Sequence, residues 1–183
     1  KDGIRDHCVT GVQTCTLPIS TQVVTVTDDE VPVITAPADV AASADPGVCE
    51  ATVDLGSPVT SDNCEVADVS NDATGTFPVG QSTVTWTVTD IHGNTATATQ
   101  LVTITDDEAP TIAAPDDIST SADAGICGAT VVLGSPVTAD NCEVADVTND
   151  ATGSFPVGQS FVTWTVTDIY GNTASAIQTI TVA

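Results

Sequence analysis

The chain has 183 residues and a formal charge of −23, from 25 Asp and Glu against 2 Lys and Arg. Such a surface repels nucleic acid and anionic lipid, which excludes both as partners. No apolar run approaches the roughly 18–20 residues a membrane-crossing helix needs, so no membrane insertion is expected. Hydrophobic residues make up 41% of the chain, which excludes the disorder that high charge alone would suggest. They are chiefly Val, Ile and Ala interleaved with Thr, the composition of an all-β protein.

From the N-terminus, Lys1–Ser20 holds both basic side chains, Lys1 and Arg5, and matches nothing later in the chain. It resembles the peptide read from sequencing-adapter DNA and is set aside from fold reasoning, with His7, Cys8 and Cys15. Thr21–Thr27 (TQVVTVT) lines up with Thr99–Thr105 (TQLVTIT) and reads as the last strand of a preceding, truncated repeat. Asp28–Thr105 then superposes on Asp106–Ala183 without a gap: 22 of the 78 positions differ, leaving 56 identical. Two repeats of this length are two independently folding domains. Neither contains Lys or Arg, which excludes Lys–Asn cross-links within them.

Within the first repeat, Asp39–Ala44 and Cys49–Leu55 flank Asp45-Pro46-Gly47 and predict a hairpin. A short strand is expected at Glu65–Ser70, after Asp62-Asn63-Cys64. Val84, Trp86 and Val88 alternate with Thr83, Thr85, Thr87 and Thr89, so one face is buried and one wet. Asp90-Ile91-His92-Gly93-Asn94 has turn chemistry. The return strand places Ala96, Ala98, Val102 and Ile104 inward. Six or seven short strands per repeat predict two tandem immunoglobulin-like β-sandwiches.

The motifs DDExP, PGVC, SDNC and FPVGQSTVTWTVTDIHGNTATATQ resemble hyalin (HYR) repeats, over both repeats and Thr21–Thr27. The resemblance implies an immunoglobulin-like fold, an extracellular or cell-surface location, and a role in adhesion or matrix assembly. It implies an adhesin-like protein, of bacterial origin on our reading, and no enzyme. Versions of the family with more cysteines carry a second pair that is absent here.

Two cysteines per repeat fit an oxidising compartment. We expect Cys49–Cys64 and Cys127–Cys142, because each repeat then closes on itself. The difficulty is geometric: if the strands leading from Cys49 and to Cys64 cross the sandwich antiparallel, the two begin at opposite ends. Cys49–Cys142, across the junction, is the rival. No repeat offers four Cys or His ligands for zinc.

In an immunoglobulin-like unit the entry segment, the second-to-third-strand loop and the last hairpin turn gather at one end. In the first repeat that end would hold Asp28, Asp29, Glu30, Asp62, Asn63, Asp90 and Asn94. In the second it would hold Asp106, Asp107, Glu108, Asp140, Asn141, Asp168 and Asn172. Ca²⁺ takes 6–8 oxygen ligands, so it is the cofactor these carboxylates suit, though no EF-hand spacing is present. The competing reading makes the acidic segments solvated linker and the Asp and Asn turn formers.

Trp86 and Trp164 share parity with buried valines, which favours core packing over sugar stacking. His92 becomes Tyr170, and no other His repeats, so no shared nucleophile–base pair exists. The expected function is an extracellular stalk or spacer whose partners are neighbouring repeats of the same chain. The alternatives are a module binding a cell-surface protein or glycan, and a filament subunit joined by strand addition.

Overall fold

The structure is a computed structural model that describes residues 22–183. The expectations for Lys1–Ser20 and for Thr21 lie outside the described residues.

The first repeat carries β1 (Val33–Thr35), β2 (Val40–Ser43), β3 (Glu50–Ala51), β4 (Val59–Ser61), β5 (Val66–Asn71), β6 (Phe77–Pro78), β7 (Gly80–Asp90) and β8 (Thr95–Thr105). Four of them form a sheet in the order β2-β8-β7-β5. The second layer consists of two antiparallel pairs, β1 with β4 and β3 with β6. The second repeat reproduces every element as β9 (Thr111–Ala113), β10 (Ile118–Thr120), β11 (Gly128–Ala129), β12 (Val137–Ala139), β13 (Val144–Asn149), β14 (Phe155–Pro156), β15 (Gly158–Asp168) and β16 (Thr173–Val182). Both repeats are thus immunoglobulin-like sandwiches, and the chain is all-β among the described residues.

The long hairpin β7–β8 forms as its alternation dictates. Val84, Trp86, Val88, Val102 and Ile104 are buried while Thr95, Thr97 and Thr99 are exposed. Gly93, at φ +93°, supplies the left-handed residue the turn between them requires. Ala51 and Phe77 close the core from the opposite layer. The inward row also contains a polar residue, Gln100, which is fully buried. It accepts the Trp86 indole N–H at 3.0 Å and donates to the carbonyls of Ala38 (2.7 Å) and Leu55 (3.0 Å). Gln178 does the same for Trp164, Asp116 and Leu133. Each pair ties the sheet to two loops and satisfies polar groups that would otherwise be buried unpaired.

One expected hairpin is not built. The Asp45–Val48 turn exists, with the Val48 N–H donating to the Asp45 carbonyl at 3.1 Å. Its two arms, however, go to different layers. β2 pairs in parallel with β8, and β3 pairs with β6. The free edge of β8 offers β2 a longer ladder than the two-residue β3 can. The parallel pairing brings Ala42 and Ala51 onto one core from opposite sides.

Gln22–Thr27, which aligns with the buried end of β8, belongs to no sheet here. Val23 and Val26 are 87% and 88% exposed.

Candidate functional site

The fold dictates what meets at the junction. Because β2 runs parallel to β8, Ser43 lies beside Thr105, and the loop that follows β2 stands at the exit end of the first repeat. Because β12 runs antiparallel to β9, Ala139 lies beside Thr111, and Asp140-Asn141-Cys142 stands at the entry end of the second repeat. Cys49 therefore faces Cys142, and the structure bonds them, with Cα atoms 4.7 Å apart. This corrects the expected Cys49–Cys64 and Cys127–Cys142 pairs. Within a repeat the two cysteines occupy opposite ends of the sandwich, a separation no disulfide spans. Cys64 and Cys127 are free and exposed.

Around that bond the two repeats exchange polar contacts. Ser43 Oγ donates to Asp107 Oδ2 at 2.6 Å, and the Gly47 N–H donates to Glu108 Oε2 at 2.9 Å. Asn141 Nδ2 reaches both the Val48 carbonyl (3.3 Å) and Asp106 Oδ1 (3.0 Å). The tight junction also draws support from Thr105, whose Oγ1 donates to Asp107 Oδ2 at 3.3 Å.

Behind these contacts lies an acidic cluster. Asp106, Asp140 and Asp168 each aim a carboxylate oxygen to within 4.8 Å of the others. Asp168 is 2% exposed and Asp106 is 6% exposed. Several of their oxygens are committed. Asp140 Oδ2 accepts the N–H groups of Cys142 (2.9 Å) and Glu143 (3.0 Å). Asp168 Oδ1 accepts the N–H groups of Tyr170 and Asn172, both at 2.8 Å, and Oδ2 accepts Asn172 Nδ2, also at 2.8 Å. Asn172 Nδ2 also donates to the Asp106 carbonyl at 3.0 Å, fastening the entry segment to the hairpin turn. Burial pushes the Asp168 carboxyl up, but these hydrogen bonds outweigh it and hold it below the usual carboxylate range. Asp106 Oδ2, Asp140 Oδ1 and Asn141 Oδ1 are buried with no hydrogen-bond partner. Uncommitted, buried oxygens beside a cluster of three carboxylates fit a hard divalent cation, which would take them as ligands.

The first repeat repeats the cluster at its own entry end with Asp28, Asp62 and Asp90, where Asp62 Oδ1 is buried without a hydrogen-bond partner and Asp28 Oδ2 lies 3.3 Å from His92 Nδ1. Asn63 Nδ2 donates to Asp28 Oδ1 at 3.2 Å and Asn94 Nδ2 to the Asp28 carbonyl at 3.1 Å. The Asn63 bond, working against burial, holds the Asp28 carboxyl below its usual range, with Cys64, Glu30 and His92 adding to it. Burial raises the Asp90 carboxyl, and the bonds from Asn94, His92 and Gly93 overcome that. Cys64, unbonded here, lies beside Asp28, whose carboxylate pushes the thiol up.

Of the fourteen acidic and amide positions read from the sequence, six thus supply the two carboxylate clusters. Asn141 adds an uncommitted oxygen at the junction, while Asn63, Asn94 and Asn172 brace the clusters through their amide nitrogens. Asp107 and Glu108 turn away to hold the first repeat, and Asp29 and Glu30 are exposed. Sequence reasoning missed the receiving groups Ser43, Gly47 and Val48. The available signal was that Ser43 and Gly47 persist as Ser121 and Gly125 while Ala42, Pro46 and Val48 change to Thr120, Ala124 and Ile126.

The fold and junction define a tandem array of immunoglobulin-like repeats fastened end to end. Residues 27–104 and 105–182 each match the family described as HYR domain, and the chain belongs to that family. It is 40% identical over 113 residues to hyalin of Lytechinus variegatus, covering 58% of this chain and 21% of that protein. It is 34% identical over 134 residues to hyalin of Strongylocentrotus purpuratus, covering 68% of this chain and 11% of that protein. The chain therefore spans a minor part of either relative. Among solved structures, Drosophila N-cadherin EC1-4 aligns with 84% of this chain and 50% of its own at TM-score 0.46 and 12% identity. Human Protocadherin-24 EC1-2 aligns with 85% of this chain and 99% of its own at TM-score 0.43 and 13% identity. No helix among the described residues is long and apolar enough to cross a membrane.

Proposed function

We propose that this chain is a segment of an extracellular adhesion or matrix protein, a non-catalytic spacer whose repeat junctions are clamped by Ca²⁺. The observation that carries the reading is the trio of buried, unpartnered oxygens on Asp106, Asp140 and Asn141 beside the inter-repeat disulfide. A disulfide fits an oxidising, extracellular compartment. A junction held by a covalent bond and four cross-repeat hydrogen bonds suits a spacer, which must resist bending. The relatives named hyalin agree with a matrix or adhesion role for such repeats. A bound cation would neutralise carboxylates that otherwise repel at the hinge. It would hold Asp106, Asp140 and Asp168 of the second repeat together, and so fix the entry segment whose Asp107, Glu108 and Asn141 fasten onto the first repeat.

Small-angle scattering tests this. Millimolar Ca²⁺ should lengthen and stiffen the chain beyond what NaCl of equal ionic strength achieves, because screening alone is a salt effect. Equal responses to the two salts overturn the clamp. Unchanged scattering in both, with Ca²⁺ bound by calorimetry, overturns the stiffening role alone.

A further inference from the structure

The disulfide and the acidic cluster share one short loop. Asp140, Asn141 and Cys142 are consecutive, and the Cys142 N–H donates to Asp140 Oδ2 at 2.9 Å. Asp140 belongs to the cluster and keeps Oδ1 buried without a partner. Cys142 belongs to the bond that reaches the first repeat. Asn141 stands between them, and its amide nitrogen serves both sides. It donates to the carbonyl of Val48, the residue before Cys49, at 3.3 Å and to Asp106 Oδ1 at 3.0 Å. The same nitrogen lies 3.7 Å from Cys142 Sγ. Asp106 is 6% exposed, and its other carboxylate oxygen has no hydrogen-bond partner. One amide group thus touches the backbone beside one cysteine, the sulfur of the other and a carboxylate of the cluster.

We infer that the Cys49–Cys142 bond regulates the cation site, with Asn141 as the positioning residue that couples the two; this rests on the cation reading proposed above. With the bond closed, Cys142 is fixed against the first repeat, and with it the N–H that orients Asp140. The Val48 carbonyl is fixed as well, and it orients Asn141. The oxygens then stand ready, and the cation binds without having to order the loop. With the bond open, single hydrogen bonds hold the loop to the first repeat, and part of the binding free energy goes into ordering it. The oxidised chain therefore binds the cation more tightly. Linkage makes the effect reciprocal, so a bound cation protects the disulfide from reduction by the same factor.

A dithiol such as dithiothreitol opens the bond. One of its thiolates attacks a cysteine sulfur and expels the other cysteine as a thiolate. Its second thiolate then closes a ring and expels the first cysteine. Two electrons pass from the dithiol to the two cysteines, and two protons follow them.

The test uses the full chain carrying Cys8→Ser, Cys15→Ser, Cys64→Ser and Cys127→Ser, so that one cysteine pair remains. Ca²⁺ alone is the probe, against NaCl at matched ionic strength. Calorimetry should give a dissociation constant at least about fivefold larger for the reduced chain than for the oxidised one. In mixtures of reduced and oxidised dithiothreitol, saturating Ca²⁺ should raise the reduced-to-oxidised ratio needed for half reduction by the same factor. Asn141→Asp keeps side-chain oxygens at the site and removes the nitrogen donor. It should bring both factors close to unity, whatever it does to the affinity itself, and Asn141→Ala should do the same. Failure of the oxidised chain to bind Ca²⁺ overturns the cation reading together with this inference. Binding with the same constant in both redox states overturns the coupling alone. Factors that neither substitution lowers overturn the role of Asn141.

Discussion

Cys49 is bonded to Cys142, 93 residues away, although Cys64 follows it by only 15. The bond therefore does not close a repeat; it crosses the junction between the two described repeats and shares that junction with the Asp106–Asp140–Asp168 cluster. Asn141 links the two features, since one amide nitrogen touches both the Val48 carbonyl beside Cys49 and the Asp106 carboxylate.

The first prediction concerns that bond. Non-reducing peptide mapping should recover Cys49–Cys142, and a Cys49–Cys64 peptide in its place refutes the junction described here. Closing a loop of this length restricts the unfolded chain by about 4–5 kcal/mol in the chain-entropy model. Cys49→Ser with Cys142→Ser should lower the unfolding temperature by several degrees. It should also let the two repeats unfold separately, seen as two calorimetric transitions.

A second prediction isolates the cation. Asp140→Asn keeps the acceptor for the Cys142 and Glu143 N–H groups while removing one charge from the cluster. It should abolish the Ca²⁺-specific rise in melting temperature and leave the NaCl response intact. Wild type should gain about 2.7 kcal/mol at a hundredfold excess of Ca²⁺ over its dissociation constant. A variant that still responds to Ca²⁺ like wild type places the ion elsewhere.

The buried glutamine supplies a third. Gln100→Leu strands the Trp86 indole N–H and the carbonyls of Ala38 and Leu55 without partners. Each stranded group costs about 1–3 kcal/mol. The first repeat should lose several kcal/mol by denaturant titration followed through Trp86 fluorescence in a Trp164→Phe background. With Cys49→Ser and Cys142→Ser also present, so that the repeats unfold separately, the second repeat should keep its own midpoint. Loss in both repeats would mean they unfold as one unit.

The fourth concerns acid. The Thr85 N–H donates to Asp72 Oδ1 at 2.8 Å. That bond, set against some burial and aided by the Thr85 side chain, holds the Asp72 carboxyl below its ordinary value of 3.8. A depressed carboxyl contributes stability above its unfolded value and loses it as pH falls through the folded one. The Thr85 amide resonance should therefore titrate with a midpoint below 3.8, and Asp72→Asn should remove that titration. A midpoint at or above 3.8 contradicts the contact.

Much of this molecule is determined by the sequence alone, because its signals are local or repeated. The 78-residue self-similarity defines two equal units. Alternation of Val84, Trp86 and Val88 with threonines decides which side of β7 is buried, since side chains on a strand alternate with a period of two. The gathering of the entry segment, Asp140 and Asp168 at one end also follows from the immunoglobulin-like order of strands. Tertiary structure alone decided the cysteine pairing, because it depends on β2 choosing the edge of β8 in parallel over β3 in a hairpin. That choice sets which end Cys49 occupies, and neither strand's pattern encodes it. It likewise decided which acidic residues converge. Asp106 and Asp107 are adjacent in the chain, yet one turns into the cluster and the other out to Ser43. A one-residue step on an extended segment reverses the side chain, so only the packed junction shows which carboxylate joins the cluster and which the neighbouring repeat.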